Sequence, residues 1–311
     1  MRCPTLNLLP PPPPGKTGWP WTAESHAWWK DDFAADWPRI SIVMPSFNTA
    51  EYLEAAIRSV LLQGYPNLDF IIIDGGSNDD SLNIIEKYSG WLTDWVSEPD
   101  DGQYHAILKG FLKTNGNIMG WLNSDDMLFP EGLSKVGSIF SQFRGQVEWI
   151  TGIPFYWDIA GRLTSPCKTI PHSQTLLRYG GHDGFAIQWI MQEGTFWTRS
   201  LWNKSGATIR TDLSYAGDFE LWLRFARFSK LYSIESFIGG NRRHSDQKTQ
   251  KNPNDYSHEV NLLLMTSPYL RLIHRILLLQ VIRLPIRFYL QYFRRSQKIK
   301  YDPDLQIWCL I

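Results

Sequence analysis

The sequence predicts an α/β fold: a mostly parallel central sheet with helices on both faces, an N-terminal arm and a C-terminal helical tail. Three observations carry the prediction. Short, continuous apolar runs such as Ile40–Pro45 and Leu68–Asp74 read as strands buried on both faces. Stretches of 3.6 periodicity lie between them, and strand–helix–strand order calls for parallel pairing. Polar clusters fall where the strands end: Ser46-Phe47-Asn48, Asp74-Gly75-Gly76-Ser77, Glu98-Pro99-Asp100-Asp101-Gly102 and Asn123-Ser124-Asp125-Asp126. Ligands of such sheets sit beyond the carboxyl ends of the strands, so four loops are expected to converge on one rim.

Residues 1–38 form the arm. Pro10 to Pro14 are consecutive and exclude a helix or an inner strand, which leaves an irregular or polyproline path. Trp19, Trp21, Trp28 and Trp29 predict that the arm packs on something. Order begins at Arg39 and the main domain is expected over 39–258. After the strand at Ile40, Thr49–Gln63 reads as a helix, with Tyr52, Leu53, Ala56, Ile57, Val60 and Leu61 on one face. Gly64 ends it and Pro66 prevents its continuation. Leu68–Asp74 is the second strand and Ser81–Tyr88 the second helix. A short third strand lies in WVSEPD, Ala106–Lys113 is helical, and NIMGWLNSDD carries a fourth strand ending in acids. Further on, WITGIPFYWD with GRLTSP reads as a hairpin, Phe196–Lys204 and Asp218–Phe228 as helices, and LYSIESFIGGNRRH as a strand followed by a loop.

Composition narrows the class. The 311 residues are 43% hydrophobic and 20% charged, which suits a large folded core and excludes a disordered chain. With 31 basic and 31 acidic residues, overall charge offers no case for nucleic acid. Cys3, Cys167 and Cys309 are few, odd in number and far apart, which argues against a disulfide framework and fits a reducing compartment. No signal peptide and no run long enough to span a bilayer are evident, so a cytoplasmic protein is expected.

Asp125-Asp126 is a chemical signal that gains specificity from its setting in WLNSDDMLFP, since an isolated acidic pair would favour a structural role. Adjacent carboxylates at a strand end repel one another, and a hard divalent cation, Mg or Mn, relieves this. Such a cation can neutralise a departing diphosphate. The bland reading is a helix cap by Ser124 or Asp125 ahead of a helix near Pro130. Asp218 likewise reads as a cap for a helix from Phe219, and Asp74 as a cap for the Gly75-Gly76 turn. Trp189, Trp197 and Trp202 read as core rather than as a sugar platform.

PSFN, IIIDGGSNDDS, SEPDDGQYHAILKG, WLNSDD and AGDFELWLR, in that order, resemble the family 2 glycosyltransferases, over roughly two thirds of the chain from Ile40 to Gln247. The resemblance implies a GT-A-type nucleotide-diphospho-sugar transferase fold and an inverting, metal-dependent transfer of one sugar. The N-terminal PPPPPGKTGWPWT resembles an arm that precedes the catalytic domain in some bacterial members. By the same resemblance Asp74 matches the aspartate at the nucleotide base, and Pro45 and Ser46 line that pocket. Asn123 and Asp125 take the outer places of the DXD motif, Asn123 toward ribose or phosphate. Asn48, Gly75, Asp100, Ser124 and Arg243 complete the expected nucleotide-sugar set. Asp125 and His244 are the expected metal ligands, for Mn or Mg, and Asp218 the general base. Asp126, Gln192 and Glu193 are expected on the acceptor side. Arg242, Arg243 and His244 can supply positive charge at a diphosphate. The chain departs from the pattern at Asn123, at Asp80 where Gly is common, and at Leu108 where Asn is usual. The Q-x-x-R-W signature of processive synthases is missing, which points to one sugar per event.

The tail, 259–311, has eight basic residues and no acid between Val260 and Tyr301: Arg271, Arg275, Arg283, Arg287, Arg294, Arg295, Lys298 and Lys300. Leu270, Ile273, Leu277, Val281 and Leu284 can share one helical face, so a basic amphipathic helix that docks on an anionic membrane is expected. The alternative is a helix packed on the domain. The expected partners are a nucleotide-sugar, with UDP as the default, and a saccharide or lipid-linked saccharide acceptor of cell-surface polysaccharide synthesis, at the inner face of the plasma membrane. One rival, a sugar-1-phosphate nucleotidyltransferase, requires a Gly-rich, Arg-containing first loop in place of SFNTAEY. The other is a non-catalytic nucleotide-sugar-binding or scaffold member of the same family.

Overall fold

A computed structural model of the chain describes residues 3–26, 36–164, 166–167, 172–185, 187–265, 272–273, 275–276, 279, 284–286 and 298–311. The first half alternates as expected: β1 (Ile40–Ser46), α1 (Ala50–Leu61), β2 (Leu68–Asp74), α2 (Ser81–Tyr88), β3 (Asp94–Ser97), α3 (Gln103–Lys113) and β4 (Ile118–Trp121). There follow β5 (Met127–Leu128), α4 (Gly132–Gln142), β6 (Trp149–Thr151), β7 (Tyr156–Trp157), α5 (Gln174–Arg178), β8 (Thr195–Thr198), α6 (Arg199–Lys204) and α7 (Gly217–Phe228). The last described elements are β9 (Tyr232–Ile234), β10 (Gly239–Arg242), α8 (Lys248–Lys251), α9 (Pro253–Met265), β11 (Lys298–Asp302) and β12 (Ile307–Leu310).

The main sheet has the order β12-β11-β9-β6-β8-β4-β1-β2-β3, and β5-β10-β7 make a small second sheet. In the main sheet only β8 and β12 run antiparallel to their neighbours. Successive side chains of a strand point to opposite faces. Ile42 and Met44 therefore join the core under α1, α2 and α4, while Val43 joins the core under α3, α6 and α7. The second core is unusually aromatic. Trp121, Trp149, Trp197 and Trp222 are buried and in ring contact with one another. Trp197 and Trp202 are thus core residues, whereas Trp189 is 47% exposed. Gly110 of α3 permits the close approach to β1, since a Cβ there would meet Val43 Cγ1 at 2.4 Å.

The arm lies against α1. The buried Arg58 guanidinium donates to the carbonyls of Pro10, Pro20 and Trp21 and to the Tyr88 hydroxyl, at 2.8 to 3.1 Å. Trp19 Nε1 donates to the Leu128 carbonyl at 2.9 Å. A buried cation is costly unless its donors are used, and here the arm's carbonyls take the place of water. Trp28 and Trp29 lie outside the described residues.

Three expectations are corrected. Thr195–Thr198 is strand, not helix; it opens with a β-branched and aromatic run and pairs with β4 and β6, leaving only Arg199–Lys204 helical. The expected hairpin divides: Trp149–Thr151 joins the main sheet, while Tyr156-Trp157 turns back at Asp158–Arg162 with a bridge to Leu163. Gly239–Arg242 is a strand rather than loop, paired with β5 and β7.

The C-terminal end also differs from a helix. β11 and β12 form a hairpin that extends the main sheet beside β9, burying Ile299 and Trp308 on its core side. Alternation in this segment outweighs its basic charge. Lys298 and Lys300 are therefore strand residues. Leu270, Arg271, Leu277, Val281, Arg283, Arg287, Arg294 and Arg295 lie outside the described residues. Among the described residues no helix is long and apolar enough to cross a membrane.

Candidate functional site

The parallel register sets three strand ends level: Ser46 opposite Asp74, and Asp74 opposite Ser97. Their loops are then sewn together by side chains. Asn48, at φ 51°, donates its N–H to Ser77 Oγ and accepts the Asn78 N–H at Oδ1. Ala50 N–H donates to Asp79 Oδ2, and Thr49 N–H to Ser81 Oγ. Thr49 Oγ1 donates to Ser124 Oγ at 2.8 Å, which ties this group to the loop after β4.

Asp74 is fully buried and accepts four hydrogen bonds, from Gly76 N, Ser77 N, Ser77 Oγ and Ser97 Oγ. Those bonds make it the brace of the Gly75-Gly76-Ser77 turn, the structural role its position allows. Gly76 has φ +80°, and a Cβ on Gly75 would meet the Asp100 carboxylate at 3.0 Å. Only glycine keeps this turn close to the third loop. Asp100 in turn accepts the Gly102 N–H.

The acidic end of β4 is the centre of a second group. Asn123 Oδ1 accepts from Gln103 Nε2 at 2.7 Å, and its Nδ2 donates to Asp126 Oδ2 at 3.1 Å and to Gln192 Oε1 at 3.4 Å. Gln192 Nε2 donates to the Trp121 carbonyl. Asp126 is fully buried, and its Oδ1 accepts the backbone N–H of Arg242 at 2.8 Å. Burial pushes the Asp126 carboxyl well up, helped by the charges of Asp125 and Glu193. Glu193 is raised by burial as well, and accepts from Asn241 Nδ2. Asp125 is the more open carboxylate, and its Oδ2 lies 3.0 Å from His244 Nε2. Neither Ser124 nor Asp125 caps α4, whose N-cap is Glu131.

Positive charge reaches this group from β10. The Arg242 guanidinium lies 5.2 Å from the Tyr52 ring centroid, and that same ring packs against His244 at 4.3 Å. Burial pulls the Arg242 pKa down while Asp126 and Asp125 hold it up. Its Nε and Nη2, and His244 Nδ1, are buried with no hydrogen-bond partner among the described residues. Arg243 is placed differently: its guanidinium covers the Tyr156 ring at 3.6 Å and its side chain is exposed. The charge beside the acids thus belongs to Arg242.

Asp218 is the second residue of α7 and is partly buried; the N-cap is Ala216, so Asp218 does not cap the helix. Burial pushes its carboxyl up to about 7, opposed by the Phe219 N–H and reinforced by the charges of Glu193 and Glu259.

Two residues of this site carried no assigned role in the sequence. Gln103 orients Asn123, and Tyr52 supports both Arg242 and His244. Gln103 stands inside a recognised motif, which is a usable signal. Tyr52 reads only as a core residue of α1, because its site contacts come from β10, far along the chain.

Among the described residues no group of three or more His, Cys, Asp or Glu side chains is arranged to hold a metal ion. The donor set still fits one. Mg and related ions commonly take one or two protein ligands and complete their shell with phosphate oxygens and water. The open Asp125 carboxylate beside His244, with unpartnered Arg242 donors close by, matches that pattern.

Comparisons with known proteins bear on the fold that carries this arrangement. Residues 41–155 match the family model described as Glycosyl transferase family 2. An uncharacterized glycosyltransferase of Nostoc sp. is 28% identical over 162 residues, covering 51% of this chain and 47% of the relative. One from Rickettsia felis is 25% identical over 237 residues, covering 73% of this chain and 37% of the relative. The chain spans less than half the length of these curated relatives. Among solved structures, Staphylococcus aureus TarS 1–349 in complex with UDP-GlcNAc superposes with a TM-score of 0.58 at 13% identity, covering 83% of this chain and 74% of that one. The mannosyltransferase PcManGT of Pyrobaculum calidifontis, in complex with GDP-Man and Mn2+, gives 0.56 at 15% identity, covering 89% and 76%. These likenesses establish the GT-A-type fold. The loops that sew the rim together, from Ser46 to Asp126, all fall inside the segment that matches the Glycosyl transferase family 2 model.

Proposed function

We propose that the protein is an inverting, metal-dependent glycosyltransferase. It moves a single sugar from a nucleotide-diphospho-sugar, UDP being the default nucleotide, to a saccharide or lipid-linked saccharide acceptor of cell-surface polysaccharide synthesis. The observation that carries this reading is the meeting of Asp125 and His244 beside a buried Arg242 whose Nε and Nη2 lack partners. A diphosphate supplies the acceptors those donors need, and structural relatives are seen with UDP-GlcNAc and with GDP-Man and Mn2+.

In this reading Asp125 and His244 hold a divalent cation. When bound, such an ion neutralises charge on the diphosphate. Arg242 adds a fixed positive charge at the same place, in surroundings where it is worth more than in water. Asp74 and Asn48 keep the first two loops in shape for the nucleotide. Asp218 is the general base: it takes the proton of the acceptor hydroxyl as that oxygen bonds to the anomeric carbon, and the bond to the diphosphate breaks with its electron pair leaving on the diphosphate. A base with a pKa near 7 suits neutral pH. Glu193, whose charge acts on both Asp126 and Asp218, faces the acceptor together with Gln192. The basic, apolar segment after α9 docks the enzyme reversibly on an anionic membrane.

Isothermal titration with UDP, GDP, ADP, CDP and TDP, each with Mn, Mg or EDTA, tests the donor site. Metal-dependent binding of one nucleotide, lost in Asp125→Ala, is expected. A folded protein that binds none of them overturns the reading in favour of a scaffold role.

A further inference from the structure

The start of α7 lacks a local cap. Ala216 precedes it with no side-chain acceptor, although the first turn of a helix leaves backbone N–H groups unsatisfied. The acceptor comes from another helix. Glu259, on α9, accepts Ser214 N–H at Oε1 (2.7 Å) and both Tyr215 and Ala216 N–H at Oε2 (2.8 Å each). The same three-residue segment is held from two further sides. Lys248 Nζ donates to the Ser214 carbonyl at 2.8 Å, and Tyr104 of α3 donates its hydroxyl to the Tyr215 carbonyl at 3.0 Å. Asp218 follows two residues after this clamp.

We infer that Glu259 is a positioning residue for Asp218: its carboxylate fixes the segment from which α7 starts and so sets where the base stands. The inference rests on the reading of Asp218 as general base, and it makes α9 part of the catalytic unit rather than the beginning of a separate tail. A carboxylate that accepts three backbone N–H groups is a charge-assisted anchor, and at a helix N-terminus it also meets the favourable end of the helix dipole. The groups around Asp218 are Glu193 from the loop before β8, Glu259 and Tyr256 from α9, and Tyr104 from α3, with Lys248 acting on Glu259. The charge of Glu259 is one of those that raise Asp218.

Two measurements on the full chain need no turnover: amide hydrogen exchange over residues 214–219, and a carboxyl-carbon NMR titration of Asp218, assigned with Asp218→Asn. In Glu259→Gln the three amides are expected to exchange faster and Asp218 to titrate at lower pH, while UDP binding is retained. Exchange and titration both unchanged overturn the inference. If Glu259→Gln fails to fold, Glu259→Asp, which keeps the charge but is too short to hold three amides, replaces it; wild-type exchange at 214–216 in that variant overturns the inference. With UDP-GlcNAc or GDP-mannose as donor, nucleotide release by Glu259→Gln is expected to fall roughly tenfold or more in kcat, as for a misplaced base. Its donor KM is expected to change little, and its acid limb to move to lower pH. A protein that releases no nucleotide yet shows both NMR and exchange responses retains the inference about Glu259 and loses the one about catalysis.

Discussion

His244 Nε2 and Asp125 Oδ2 meet at 3.0 Å although 119 residues separate them in the chain. The contact forms because β10 pairs with β5, directly after the acidic loop, and because Tyr52 of α1 fills the space behind the imidazole. A carboxylate from the turn between β4 and β5 and an imidazole from the loop after β10 meet here, and in the proposed reading they make half of a cation site that a diphosphate completes.

Removing either partner separates metal from nucleotide effects. Asp125→Ala is expected to abolish the Mn-dependent part of UDP binding while leaving the weaker binding seen in EDTA. His244→Ala is expected to weaken the Mn-dependent part by roughly tenfold to a hundredfold, the range for loss of one support of a metal site. Titration calorimetry with and without EDTA checks both; an equal loss in EDTA would show that the residues hold nucleotide and not metal.

The raised Asp218 carboxyl predicts two opposite pH trends. In the proposed role of base it must be ionised, so turnover is expected to rise as pH increases through about 7. Stability runs the other way. The folded state holds the proton more tightly than the unfolded chain, whose carboxyl has the ordinary value of 3.8. This contribution is fully present below that value and is lost as pH rises through about 7. Asp218→Asn removes the cost of burying the charge, so it is expected to stabilise the protein at pH 8 relative to pH 4 by roughly 1–3 kcal/mol. Thermal melts of both proteins across that range measure it.

Arg58 predicts how the arm is attached. Arg58→Ala leaves the carbonyls of Pro10, Pro20 and Trp21 without their donor. The expected cost is roughly 1–3 kcal/mol or more, as for leaving buried neutral acceptors without their donor. Limited proteolysis is expected to cut within residues 3–26 earlier than in the wild type, and unchanged cleavage would mean the arm is held by its tryptophans.

The first half of the fold was legible because each element there states its own period. The runs at Ile40 and Leu68 are buried on both faces, and the helices between them carry an apolar stripe. The rim residues were legible too, as polar clusters at strand ends. What the sequence hid depends on pairing between distant segments. Thr195–Thr198 shows a pattern as compatible with a helix as with a strand, and only its neighbours β4 and β6 decide. Lys298–Leu310 was masked by its charge. The choice of Arg242 over Arg243 rests on which of two adjacent side chains faces Tyr52, which composition and spacing do not reveal.

Gly217 offers the sharpest test of how tightly the base is placed. A Cβ there would lie 2.7 Å from the ring of Tyr104, a buried residue that also holds the Tyr215 carbonyl. The ring cannot retreat without breaking that hydrogen bond, so α7 itself must shift. Gly217→Ala is expected to destabilise by about 1–3 kcal/mol, the usual range for overpacking. It is also expected to lower kcat far more than donor binding, because the displaced helix carries Asp218 and no donor-site residue. Combining it with Tyr104→Leu makes room for the methyl, and the two changes should couple by more than about 0.5 kcal/mol in denaturant melts. Simple additivity in that double-mutant cycle would show that the Tyr104 ring does not set the position of α7.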